Sequence, residues 1–279
     1  MSTPTSSAEP PSSSPTTSSA PPPSSQRHNG WERPYSRDQV ISWLGHSVSA
    51  LCFYLGAAGM YLTTESGEIH AVTLVGTGVH AVNALVLLTA WTSCETIDPA
   101  IETEGTSWWG VTLRGPRWDT TRYCALCRKA VPGLDHHCTW LQTCVGKSNY
   151  VQFFTVACTG TVQFVLQVVY ACVCGSWLLS HRETTLGYVP TSALLVCFAL
   201  SVPCMCMYFV LVGFHLWLMV LGYGTYEWML RRREDTSRAS KRRETRPRHP
   251  EAVEEATDKD KTRDTTLHIR EEGPKDVHL

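Results

Sequence analysis

Asp135-His136-His137-Cys138 is the stretch on which the reading of this chain turns. Its four residues offer a carboxylate, two imidazoles and a thiol. Together these supply both a nucleophile with its base and a set of metal ligands. Cys124, Cys127 and Cys144 stand close on either side, in a polar loop between two pairs of long apolar segments. A loop with so little apolar material needs a staple to hold a structure. At a membrane face, the same residues suggest thiol chemistry on something that lives in or near lipid.

Outward from the loop, four segments are long and apolar enough to cross a bilayer, which takes about 20 residues each. They fall near 42–63, 69–92, 152–180 and 190–222, and none contains Asp, Glu, Lys or Arg. Buried helices of a globular core rarely run so long without a charge. Thr64-Glu65-Ser66-Gly67-Glu68 joins the first two and suffices only for a helical hairpin. Basic residues set the orientation. Arg27, Arg33 and Arg37 precede the first span. Arg114, Arg117, Arg122, Arg128, Lys129 and Lys147 lie in the central loop, and Arg231-Arg232-Arg233 follow the last span. The two hairpin turns hold only Arg182, so both termini and the central loop are expected in the cytosol.

The expected fold is therefore all-α and integral to the membrane. Four transmembrane helices, two plus two, flank a small loop-rich domain stapled by metal between helices 2 and 3. The organisation runs as a disordered Ser/Thr/Pro-rich tail over 1–38, helices 1 and 2 over 39–92, and the cysteine-rich domain over 93–151. Helices 3 and 4 occupy 152–222, and a charged, solvated tail 223–279. Residues 1–26 lack the apolar core of a cleavable signal peptide. Trp31, Tyr35 and Trp43 suit the membrane interface. Of twelve cysteines, seven (Cys52, Cys158, Cys172, Cys174, Cys197, Cys204, Cys206) lie inside spans and read as packing. Cys94, at the membrane edge, is open to acylation but reads more simply as filler. The four in the loop would be reduced in the cytosol, where clustered thiols bind metal or react.

Cys124-x2-Cys127, then His137 after nine residues and Cys144 after six more, makes a Cys3His set suited to a structural zinc. His136 and Cys138 are also possible donors, six candidates for four positions, and spacing alone does not choose among them. In an extended segment, residues i and i+2 share a face. His136 and Cys138 would then face together, with His137 opposite. A thiol becomes a competent nucleophile beside an imidazole base, and Asp135 can orient His136 as the acid of a triad does. A second metal site built from the remainder would have too few ligands.

Tyr123-Cys-Ala-Leu-Cys, Val131, Asp135-His-His-Cys, Trp140, Cys144-Val-Gly, Asn149-Tyr150 and Phe153-Phe154 resemble the cysteine-rich domain of DHHC protein S-acyltransferases, the palmitoyltransferases. Asp98-Pro99-Ala100 and Gly224-Thr225-Tyr226-Glu227 resemble that family's flanking motifs, so the likeness covers roughly residues 40–230. It implies that Cys138 takes the acyl group of a long-chain acyl-CoA and passes it to a cysteine of a substrate protein. His136 would be the base and Asp135 its partner, while Cys124, Cys127, His137 and Cys144 hold zinc. The acyl chain would lie among the four helices, and Thr225 would brace the active-site loop. Arg128, Lys129 and Lys147 are weak candidates for CoA phosphates, or simply orientation charge. Expected partners are the bilayer, acyl-CoA and proteins with membrane-proximal cysteines, not nucleic acid. The expected location is an endomembrane, Golgi or endoplasmic reticulum.

The resemblance departs at one place in particular. Where most relatives carry a second zinc site, this chain has Gly110, Leu113, Tyr123 and Ala130, so a single zinc is expected. Trp108, Trp109 and Trp118 are candidates to fill that space. Thr139, Gln142-Thr143, Ala100 and Gly224 are smaller departures that touch neither nucleophile, base nor ligands. Two rival readings remain. One is a catalytically silent zinc-binding membrane scaffold of the same family. The other, a transporter, is weaker because no charge lines a path through the spans. Gln163 and Gln167, four residues apart, suit interhelical hydrogen bonds better than a conduit.

Overall fold

In lipid every backbone N–H and C=O must find its partner within the segment, so charge-free apolar runs fold as helices. The computed structural model describes residues 26–64, 67–108, 111–113, 118–180 and 188–245. It contains α1 (Arg37–Thr63), α2 (Glu68–Thr96), α3 (Tyr150–Ser180) and α4 (Tyr188–Leu221), each long and apolar enough to span a membrane. Between α2 and α3 lie six short strands: β1 (Thr106–Trp108), β2 (Val111–Leu113), β3 (Thr121–Cys124), β4 (Lys129–Pro132), β5 (His136–Cys138) and β6 (Thr143–Val145). They pair in sequence order as three two-stranded antiparallel sheets. α5 (Thr225–Glu244) follows α4. The chain divides after Phe214 into two compact units.

Within the larger unit, α1 starts at Ser36, whose Oγ accepts the Gln39 N–H at 3.0 Å as an N-cap should. Phe53, Ala57 and Met60 of α1 pack with Tyr170, Ala171, Cys174 and Leu178 of α3 and with Leu194 and Cys197 of α4. Gly56 allows this approach, since a Cβ there would stand 2.4 Å from Leu194 Cδ2. Polar side chains inside the bundle pair with each other. Gln167 Nε2 donates to His80 Nε2 at 3.1 Å, and Gln167 Oε1 accepts from Ser201 Oγ at 2.7 Å. His80 Nδ1 in turn meets Tyr54 Oη at 3.0 Å. Gln167 thus ties α3 to α2 and α4, the interhelical role its spacing suggests. On the outer faces, large apolar residues such as Val82 and Val210 are 67% and 72% exposed. In water that band would be an anomaly; against lipid it is the expected surface.

The strand region has a different kind of core. Its buried cluster is Cys124, Cys127, Val131, Leu134 and Cys144, so most of its members are thiols rather than hydrocarbon. The helices extend a few residues beyond the charge-free runs, α2 as far as Thr96. The segment read as a charged, solvated tail is solvated but helical through Glu244. Six of the 20 residues of α5 are Arg and three are Glu, both good helix formers. Glu65, Ser66, Trp109, Gly110, Arg114, Arg117 and Arg182, and the tails 1–25 and 246–279, lie outside the described residues.

Candidate active site and metal centre

The β3–β4 hairpin turns between Cys124 and its cross-strand partner Lys129. Arg128 takes a left-handed φ of 57°, and its N–H donates to Cys124 O at 2.7 Å. The Cys127 N–H points at Cys124 Sγ at 3.5 Å. The β5–β6 register sets His137 opposite Cys144, and directly opposed residues project to the same side of a sheet. The four donor atoms consequently lie within 4.8 Å of one another. His137 Nδ1 is 3.8 Å from Cys124 Sγ, 3.3 Å from Cys127 Sγ and 3.7 Å from Cys144 Sγ. A tetrahedral zinc would separate its sulfur and nitrogen ligands by about 3.5 Å. The set fits a metal ion.

The thiols also behave as a shared set. Hydrogen bonding to Cys124 and Cys127 favours the protonated form of Cys144 and, with burial, pushes it far up. Cys127 is raised to about 11, first by its bond to Cys124. Cys124 is held low by its bonds to Cys127 and Cys144. Three thiolates this close repel each other, so full deprotonation calls for a cation among them.

The other face of β5 carries His136 and Cys138, opposite Val145 and Thr143. Asp135 is buried, anchored by its N–H to Val145 O at 2.9 Å. Its Oδ2 lies 2.9 Å from His136 Nδ1. That bond places the Nδ1 hydrogen toward the carboxylate and leaves Nε2 for the thiol. Burial alone would lower the His136 pKa. Bonds to Asp135 and Cys138 outweigh it and raise the ring to about 9. An imidazole that keeps its proton at neutral pH beside the Cys138 sulfur can supply that proton to a departing group. Phe153 of α3 props the His136 ring edge-on at 5.0 Å.

Several positioning contacts are not readable from the motifs. Asn149, fully buried, accepts the Gly146 N–H at 2.9 Å and donates to Cys144 O at 3.0 Å, fastening β6 to the start of α3. The segment before α1 runs across the cysteine-rich domain as a strap. Arg27 N–H donates to Cys127 O at 3.1 Å, Gly30 N–H to Glu95 O at 2.8 Å and Ser36 Oγ to Thr139 O at 2.8 Å. Gly30 passes so near Leu141 that a Cβ would come within 2.4 Å of its carbonyl oxygen. Lys129 Nζ, buried, reaches Asp98 Oδ1 and His28 O, both at 2.6 Å. Burial opposes ionisation of Asp98, but bonds from Lys129, the Ala100 N–H and His28 hold its pKa below the usual carboxylate value.

Of the three basic residues considered for CoA, Lys129 is thus engaged with Asp98, and Lys147 Nζ with Glu102 at 2.9 Å. Arg128 stands exposed on the metal turn. Cys94 is fully buried at the end of α2, its Sγ 3.9 Å from Asn149 O. At the positions of the missing second site, Ala130 has no donor atom and Tyr123 is exposed; Gly110 lies outside the described residues. Trp118 is buried edge-on against Tyr150 at 4.8 Å. In the smaller unit, Thr225 opens α5 directly after Gly224.

Residues 107–232 match a family model described as DHHC palmitoyltransferase. Among curated proteins, the chain is 33% identical over 76 residues to "Probable protein S-acyltransferase 15" of Arabidopsis thaliana, covering 27% of this chain and 29% of that protein. It is 33% identical over 85 residues to "Palmitoyltransferase ERF2" of Kluyveromyces lactis, 30% of this chain and 22% of the relative. Against human "Palmitoyltransferase ZDHHC8" the identity is 30% over 124 residues, 43% and 15% respectively. The matches span less than a third of each relative's length.

Proposed function

We propose, from the DHHC palmitoyltransferase domain that this chain carries at residues 107–232, that it is a protein-cysteine S-palmitoyltransferase working in two steps. One observation carries the reading. β5 turns His137 toward three cysteines, while its other face holds Cys138 and His136 with Asp135 bonded behind. In the first step the Cys138 thiolate attacks the thioester carbonyl of a long-chain acyl-CoA. The C–S bond to CoA breaks as the new one forms, and the His136 proton goes to the departing sulfur. In the second step neutral His136 takes the proton of a substrate cysteine, whose sulfur displaces Cys138. Asp135 stabilises the imidazolium in both directions.

Cys124, Cys127, His137 and Cys144 would hold one zinc, which supplies folding energy to a region with little apolar core. Acyl-CoA chemistry at the loop and a chain buried among α1–α4 suit a site at the membrane surface, where each buried CH₂ is worth about 0.8 kcal/mol. By the basic-residue asymmetry the loop and both termini face the cytosol, and an endomembrane is the expected location. The silent-scaffold alternative gives no reason for Asp135 to be buried and aimed at His136. The two-step scheme is tested by loading the purified protein with labelled acyl-CoA, removing the CoA, and adding a membrane-proximal acceptor cysteine. Label should move to the acceptor. If transfer occurs only while acyl-CoA is present, the covalent intermediate is not on the path.

A further inference from the structure

The smaller unit carries a charge pattern that acyl transfer does not use. Arg231-Arg232-Arg233, Arg238 and Lys241-Arg242-Arg243 stand against only Glu234 and Asp235 between residues 231 and 243. They lie on α5, a helix with no buried residue. Among the described residues, none of these bases forms a salt bridge. A charge run is ordinarily just a solvated face, but three observations set this one apart. α5 begins directly after Gly222-Tyr223-Gly224, so its first arginines emerge where α4 leaves the bilayer. Aromatic rings hold them there. The Arg231 guanidinium lies 3.9 Å over Tyr223 and that of Arg232 5.2 Å over Trp228, which stands edge-on to Trp217 at 6.1 Å. Trp and Tyr settle at headgroup level, and so fix the depth of the arginines they contact. Finally, Arg231, Arg238 and Arg242 recur at close to whole turns of a helix and share one face.

We propose that α5 is a binding surface for the anionic phospholipid headgroups of the leaflet from which α4 emerges. Guanidinium forks match phosphate oxygens in pairs, and a basic helix tethered at the bilayer edge sits within reach of the surface potential. The inference rests on α4 crossing the bilayer, and not on the transfer chemistry or on which side α5 faces.

The test uses the full-length chain in nanodiscs of phosphatidylcholine alone, of phosphatidylcholine with about one lipid in five phosphatidylserine, or with a few per cent phosphatidylinositol bisphosphate. Trypsin cleavage between Arg231 and Arg243 is followed by peptide mass. In anionic discs cleavage should slow by about fivefold or more, and the protection should vanish in about 0.5 M salt. The variant Arg231→Gln/Arg238→Gln/Arg242→Gln, with an unchanged thermal unfolding midpoint, should be cleaved alike in all three discs. Protection by the bisphosphate lipid alone also supports the site, in a headgroup-selective form. Equal cleavage of the wild-type chain in all discs overturns the proposal, as does protection that persists in high salt or in the variant.

Discussion

On one face of β5, His137 meets three cysteines; on the other, His136 meets one cysteine and a carboxylate. The residue types are nearly the same and the sites are one residue apart, yet their chemistry differs. Three thiols around one imidazole repel as thiolates, and only a shared cation lets all of them ionise. One thiol beside an imidazole backed by a buried carboxylate has no such competition. Strand alternation does the sorting. A slip of one residue in the β5–β6 register would put Cys138 toward the metal donors and His137 toward Asp135.

The comparison breaks hardest on the metal face. Cys124→Ser should abolish metal binding and unfold the strand region, removing stabilisation on the order of 10 kcal/mol, the scale of structural zinc in small domains. Metal content and limited proteolysis of purified protein check this. A variant that stays folded without metal would show that the hydrocarbon around Val131 and Leu134 suffices. On the reacting face, His136→Gln should retain one metal per chain while slowing transfer by about 10²–10⁴-fold, the usual share of a general base. Its rate should be measured beside its metal content, because loss of both would mean the two faces are not separate.

A smaller effect is expected at the brace between the faces and the membrane. Asp98→Asn leaves the Lys129 ammonium buried without its anion and should destabilise by about 1–3 kcal/mol, read as a lower unfolding midpoint. Because folding lowers the Asp98 pKa, the pair's contribution is complete above the unfolded value of about 4 and fades as pH falls through the lower folded one. Wild-type and Asp98→Asn midpoints should therefore converge below about pH 4. A constant gap down to pH 2 would remove the ion pair from the account.

Much of this was legible in the chain itself. Charge-free runs announce helices in lipid, and the loop's spacing narrows the donors to six, from which the two hairpins bring Cys124, Cys127, His137 and Cys144 together. The split between His136 and His137 follows from the period of a strand. What the sequence hides is contact across long separations. Ser36 binds Thr139 and Lys129 binds Asp98 because the strap and the end of α2 happen to pass there. Nothing in the local pattern of either partner says so. For the same reason Lys129 and Lys147 read as candidates for CoA phosphates or as orientation charge, when both have partners inside the domain. The helix at 225–244 was obscured because its high charge reads as a solvated tail, although its residues are good helix formers.

The central claim is that Cys138 reacts while its neighbours hold metal. It is tested most directly by incubating purified wild-type and Cys138→Ser protein with an alkyne-tagged palmitoyl-CoA and counting metal in the same samples. We expect a hydroxylamine-sensitive label on the wild type only, with one zinc per chain in both. An unlabelled wild type that holds its zinc, or a Cys138→Ser protein that loses it, would contradict the account.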